Sequence, residues 1–271
     1  RQHRRKRRIG DPHLHQMQSS LAWLEERVAA RRRFESARVR LCVSPHAPYS
    51  VSGPLFAAVA GWARMARLPL AVHIAESAAE RELLAGGTGP FAEMWARREI
   101  PPPVPLGDTP VAWLDRHGVL GPETLCIHVV NADDADIPLL AGAGAAVAHC
   151  PLSNRAHGHG DARLAALLDA GIRVGVGTDS VVSVGRLDLL AEARAARRLA
   201  GLDAAAALAL CTLDAARAIG LAGDVGSLAV GKYGDVVAVA TGDAADPVEA
   251  VLAGGPADVR ATWLAGRRVF P

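Results

Sequence analysis

Hydrophobic and polar positions follow two rhythms along the chain, and the points where one replaces the other outline its elements. Short runs rich in valine, leucine and isoleucine occupy residues 39–46 (VRLCVSPH), 68–76 (LPLAVHIAE), 124–130 (TLCIHVV), 144–154 (GAAVAHCPLSN) and 172–180 (IRVGVGTDS). Each is apolar on both faces, as strands buried in a parallel sheet are. After each comes a stretch with helical spacing: residues 53–68, 79–85, 134–144, 162–171 and 187–201. Five strand–helix units predict an α/β fold, either a (β/α)8 barrel or a doubly wound sheet.

The two ends read differently. Residues 1–16 are strongly basic and have no apolar period, so they predict a disordered tail, with a nucleic-acid arm as the alternative. Residues 19–33 read as an amphipathic helix that aligns Leu21, Leu24, Val28 and Ala29. Beyond residue 222, the Gly-rich stretch GDVGSLAVGKYGDVVAVA and the later VRATWLAGRRVF predict a small β appendage. Three regions follow: a basic tail and helix (1–38), an α/β body (39–221) and the appendage (222–271).

With 271 residues, half of them hydrophobic, the chain can bury a large core. No apolar run approaches the ~18 residues a membrane span needs, and no signal-peptide pattern opens the chain. A net charge of +2 gives no global electrostatic case for nucleic-acid or membrane partners. Cys42, Cys126, Cys150 and Cys211 are widely spaced, which favours reduced thiols and a cytoplasmic setting. Cys42, Cys126 and Cys150 read as small hydrophobes inside strands, so cysteine-nucleophile chemistry has little support.

Chemistry enters at the strand ends. The five strands finish at His46, at His73 with Glu76, at His128, at His149 and at Asp179, although the chain has only ten histidines. In a parallel barrel these ends converge on one face. Imidazoles with carboxylates suit Zn²⁺ or Fe²⁺, and such a metal with one open position lowers the pKa of its water to ~7. Glu76, three residues past His73, is placed to carry protons to a leaving amine. Taken singly, these residues have plainer readings: a core histidine at His73, His128 or His149, a turn at His46, a helix cap at Asp179. The His157-Gly158-His159 stretch reads as a flexible polar loop, with a pocket mouth or a stray metal as alternatives.

The segments SPHAPYS (44–50), VHIAES (72–77), IHVV (127–130), AHCPLSN (148–154) and VGTDSVVS (176–183) resemble, in order, the strand-end motifs of the amidohydrolase superfamily. The resemblance is greatest to the branch holding adenosylhomocysteine, methylthioadenosine, aminofutalosine and guanine deaminases and the triazine hydrolases. The tail GSLAVGKYGDVVAV resembles that branch's return to a small β-sandwich. This resemblance implies strands four to eight of a (β/α)8 barrel with a C-terminal β-sandwich. It implies His73 and Asp179 as ligands of one divalent ion, zinc or else iron. Glu76 would be the proton shuttle, Asp179 would also accept a proton from the attacking water, and His128 would hold the water or the developing oxyanion. His46, His149, Ser153 and Asn154 would lie in the pocket of a small purine-like substrate.

The implied reaction is hydrolysis of a non-peptide C–N bond by metal-bound hydroxide, deaminating an aminopurine nucleoside such as an aminofutalosine or a thioether adenosine. Ring-amide or C–Cl hydrolysis, or an inactive fragment, are the competing readings; a homodimer is left open. The superfamily's first-strand His-x-His pair is not found: His13-Leu14-His15 follows no strand and lies too near His46. With Arg1 in place of methionine, the expectation is a chain without strands one to three. Residues 1–38 should then pack poorly, and the chain alone should hold metal weakly, dissolve poorly and be inactive.

Overall fold

The computed structural model describes residues 12–36, 38–103 and 106–270. The basic run at 1–11 lies outside the described residues, as do the side chains of His13 and His15. Helix α1 (Pro12–Arg31) starts inside the stretch expected to be a disordered tail. Its Val28 is buried, and Leu21 and Leu24 pack against the core beside α2 (Gly53–Met65), but Trp23 and Phe34 stay exposed, in keeping with the loose packing expected of this segment.

Four strands form the body: β1 (Leu70–Ile74), β2 (Thr124–His128), β3 (Ala146–His149) and β4 (Arg173–Val176). They lie side by side in chain order, all parallel. Parallel neighbours need long crossovers, which helices supply. They are α3 (Ala78–Gly86), α4 (Gly89–Arg97) and α5 (Pro110–Arg116) after β1, α6 (Asp136–Ala143) after β2, and α7 (Pro151–Ala156) and α8 (Leu164–Asp169) after β3. Past β4 come α9 (Val181–Val184), α10 (Leu189–Ala200), α11 (Ala204–Ala209) and α12 (Leu213–Ala218). Among the described residues, no helix is long and apolar enough to cross a membrane.

The expected first strand, 39–46, is reduced to an isolated bridge between Val43 and Leu70. It still runs parallel to β1: Val43 N donates to Pro69 O, Ala71 N to Val43 O and His73 N to His46 O, at 2.9, 2.9 and 2.8 Å. Cys42, read as a strand-interior hydrophobe, is exposed, whereas Cys126 and Cys150 are buried as expected. Burial pushes the thiols of Cys126 and Cys150 up to about 12.

Burial on both faces, expected of every strand, does not hold for β1 and β2. Leu70, Val72 and Ile74 are buried while Ala71 and His73 are half-buried, and β2 repeats the pattern. The buried side meets Phe56, Leu114 and Leu140 from the helices in the main core, where Phe56 and Trp113 pack edge to face at 5.4 Å. At Gly175 in β4, a Cβ would lie 2.7 Å from Ala215 Cα, so glycine there lets α12 press on the sheet. The C-terminal region forms one three-stranded antiparallel sheet of β5 (Val236–Val239), β6 (Val259–Leu264) and β7 (Arg267–Phe270), with α13 (Pro247–Ala253) between β5 and β6.

Candidate functional site

The strand ends carry their polar side chains on strained backbone. His46, Ala75, His128, Val129 and Asp179 have φ of 71°, 50°, 75°, 53° and 56°, in the left-handed region that non-glycine residues rarely enter. Such outliers cluster at sites where the surroundings impose them. At His128 the consequence is direct. Register pairs it with Ile74, on the buried side of the sheet, yet its ring lies 5.5 Å from that of His73, one residue out of phase.

His73 is also 5.1 Å from the ring of His46. Ser50 Oγ donates to Ala47 O, so it accepts from His46 Nδ1–H at 2.5 Å, leaving Nε2 of the neutral ring bare. Burial and the neighbouring His73 lower the pKa of His46 against the opposing pull of Glu76. Glu76 lies just past β1, with Oε1 3.5 Å from His128 Nε2 and Oε2 accepting from Tyr49 OH at 3.4 Å. Tyr49 stacks on Phe91 of α4 at 4.3 Å, and its carbonyl accepts from Trp95 Nε1 at 2.9 Å. Burial, and then the negative charge of Glu76, push the Tyr49 phenol up, so it remains a donor.

Glu80 of α3 braces this loop. It is fully buried, and its two carboxylate oxygens accept from the amides of Ala75 at 3.1 Å and Glu76 at 2.9 Å. Burial pushes its pKa up to about 8, outweighing those hydrogen bonds.

A second brace holds the far side of the rim. His128 Nδ1–H donates to Asn154 Oδ1 at 2.9 Å, so the neutral ring turns a lone pair on Nε2 toward Glu76. Burial is the largest cause of a lowered His128 pKa, which Glu76 opposes. His149 Nδ1–H donates to the His128 carbonyl at 3.0 Å, and burial pushes the ring's pKa down to about 4, so it is neutral. Ser153 Oγ donates to Asp179 Oδ2 at 2.6 Å and the Ser180 amide to Oδ1 at 2.7 Å. Burial acts to raise the Asp179 pKa, but these hydrogen bonds prevail and hold it below the usual carboxylate range. Ser153 and Asn154 both ride on α7, whose Leu152 amide donates to Glu192 of α10 at 3.0 Å. Glu192 is itself buried, which pushes its pKa up to about 7.

One rim therefore gathers His46, His73, Glu76, His128 and, through Ser153, Asp179. His149, Ser153 and Asn154, expected in the substrate pocket, are fully buried: His149 Nδ1, Asn154 Oδ1 and Ser153 Oγ face His128 and Asp179, while His149 Nε2 has no hydrogen-bond partner. Glu80, Glu192 and Tyr49 were not singled out in the sequence. His159, read as part of a flexible loop, has Nδ1 3.5 Å from Glu76 Oε1.

The donor types suit a divalent ion: His73 Nδ1 is buried without a hydrogen-bond partner, and Asp179 is ionised and exposed. The donor number falls short. Among the described residues, no group of three His, Cys, Asp or Glu side chains is placed to hold a metal.

The family model described as "Amidohydrolase family" matches residues 16–269. An aminodeoxyfutalosine deaminase of Deinococcus radiodurans is 38% identical over 184 residues, which is 64% of this chain and 43% of that protein. An adenosine deaminase of Xanthomonas campestris, solved with bound zinc, superposes with a TM-score of 0.77 at 29% identity, covering 92% of this chain and 56% of its own. The aminofutalosine deaminase of Helicobacter pylori does so at 0.81 and 25% identity, covering 93% of this chain and 64% of its own. The chain thus spans about half the length of these relatives.

Proposed function

The chain belongs to the amidohydrolase family, and we propose that its rim of histidines and carboxylates serves hydrolytic deamination of an aminopurine nucleoside, of the aminofutalosine or thioether-adenosine kind. One observation carries the reading. A carboxylate, Glu76, sits on the rim with an imidazole nitrogen 3.5 Å from one oxygen and a phenol 3.4 Å from the other. A leaving amine needs a proton donor, and this group is poised to take up and release one. The named activities of the relatives support the same substrate class.

In this reading His73 and Asp179 would supply two of the ligands of one divalent ion, zinc. When bound, such an ion supplies Lewis acidity that makes water a nucleophile at neutral pH. Asp179, kept ionised by Ser153 and Ser180, takes a proton from the attacking water. His128, its ring fixed by Asn154, holds that water through Nε2. Glu76 delivers protons to the ring nitrogen and then to the amine, so that the aminopurine and water become the oxo-purine and ammonia. His46, exposed beside His73, meets the substrate, whereas Ser153, Asn154 and His149 act on it only through the residues they hold.

The four parallel strands correspond in this reading to strands five to eight of a (β/α)8 barrel. The 43–46 bridge is what remains of strand four, and the C-terminal sheet is part of a β-sandwich appendage. Four widely spaced cysteines and a small nucleoside substrate support a cytoplasmic setting.

The test is ammonia release by the 271-residue chain, with zinc in excess, across a panel of adenine nucleosides. Excess zinc offsets the weak hold of two ligands, so slow turnover of at least one is expected, against the inactivity expected from the sequence. A folded, zinc-loaded sample that releases no ammonia yet opens a hydantoin or imidazolone ring would overturn the assignment.

A further inference from the structure

The His157-Gly158-His159 turn has no part in the reaction outlined above, yet it delivers a second imidazole to Glu76. The turn is tightly fixed. Following α7, the amides of His157, Gly158 and His159 donate to Ser153 O, Arg155 O and Asn154 O at 3.0, 3.1 and 2.8 Å. Gly158 and Gly160 take left-handed φ of 70° and 98°, which lets the chain reverse on either side of His159. An Arg155–Asp161 ion pair at 2.8 Å closes the base of the turn. The loop thus points the His159 ring at the rim. Its Nδ1 is buried with no hydrogen-bond partner, 3.5 Å from Glu76 Oε1.

Glu76 Oε1 therefore has two imidazoles at 3.5 Å, and they are not equivalent. The His128 side chain is 2% exposed and its other nitrogen is committed to Asn154. The His159 side chain is 22% exposed, and stacks 5.6 Å from the exposed ring of His157. Of these two imidazoles His159 is the one that reaches water, beside a carboxylate whose own side chain is 16% exposed. The titratable groups around it are Glu76 beyond β1, with Tyr49 and Glu80 behind that carboxylate, His128 at the end of β2, and His157 on its own turn.

We propose that His159 is the residue through which the Glu76 carboxylate exchanges its proton with solvent. The inference deepens the deaminase reading and rests on Glu76 being the proton carrier. Protonated Glu76 gives its proton from Oε1 to His159 Nδ1, and the resulting imidazolium releases the Nε2 proton to water. The reverse sequence reloads the carboxylate. No other species is consumed.

Two measurements on the 271-residue chain test this. Nitrogen NMR of ¹⁵N-histidine-labelled protein should show the His159 Nδ1 signal moving when Glu76→Gln replaces the shared-proton partner. In the ammonia assay with zinc in excess, His159→Ala should lose ~10–100-fold in turnover, within the range of acid–base help. Added imidazole should restore it in proportion to concentration. His159→Gln, which keeps bulk and polarity but does not titrate, should be as slow and should not respond to imidazole. An Nδ1 signal indifferent to Glu76→Gln, or a His159→Gln variant at the wild-type rate, overturns the proposal. A wild-type chain that releases no ammonia counts against the deaminase reading instead, and the Nδ1 signal then decides the His159 proposal.

Discussion

Replacing Glu80 should cost stability in a way that depends on pH. The side chain is fully buried and accepts from two backbone amides, those of Ala75 and Glu76. Glu80→Ala strips both amides of their acceptor, and an unpaired buried donor costs ~1–3 kcal/mol. It also removes what holds Ala75 at a φ of 50°. The expected loss is ~2–5 kcal/mol. Glu80→Gln keeps the shape and one acceptor oxygen, so about half that loss is expected. The two variants also differ from wild type in their response to pH. Burial raises the Glu80 pKa from 4.5 to about 8, so the folded chain holds this proton more tightly than the unfolded one. The stability linked to it is fully present below pH 4.5 and is lost as pH rises through about 8. The shift sets an upper limit on the order of 5 kcal/mol for that loss. Urea unfolding followed by circular dichroism, repeated across this window, should show wild type losing stability relative to Glu80→Gln as pH rises. Parallel curves for the two proteins, or a Glu80→Ala loss under ~0.5 kcal/mol, would refute the reasoning.

Other outcomes follow from the same geometry. Glu76→Gln should leave zinc binding unchanged and lower ammonia turnover by ~10²–10⁴, as read by calorimetry and by the coupled ammonia assay. His73→Ala and Asp179→Ala should each abolish measurable zinc binding; a stoichiometric ion in the His73→Ala protein would remove His73 from the ligand set. Catalytic zinc normally has three protein ligands, so the wild-type chain should lose its metal on dialysis and regain activity only with zinc in excess. Gly175→Ala pushes a methyl group to 2.7 Å from Ala215 Cα and should cost ~1–3 kcal/mol, measured as a lower urea midpoint.

The four parallel strands were legible because each is a short apolar run bounded by turn formers, and burial sustains that pattern. Their ends were not. The 144–154 run was read as a single strand, but Pro151 fits the first turn of a helix, so β3 stops at His149 and α7 begins. Pro90 and Pro110 likewise open α4 and α5, two helices not read from the sequence. At residues 39–46 the apolar pattern was real but Pro45 and the left-handed His46 interrupt the ladder, leaving a bridge where a strand was expected.

The histidines of the rim could be found because imidazoles are scarce and stood at strand ends, where a parallel sheet brings them together. Their supports could not be found by the same logic. Glu80 and Glu192 lie in helical stretches where an acid ordinarily faces water, and only the approach of the Ala75–Glu76 and Leu152 amides makes them acceptors. His159 is separated from Glu76 by a long stretch of chain, so their meeting depends on how α7 ends and on two glycines with positive φ. Ser153 and Asn154 were expected against a substrate because their motif resembles the family's. The side chains they bond, Asp179 and His128, lie across the rim, where residue spacing could not find them. Residue type and spacing thus reveal groups that do chemistry at an expected place. Groups that hold others in strained positions become visible only when the backbone they hold is seen.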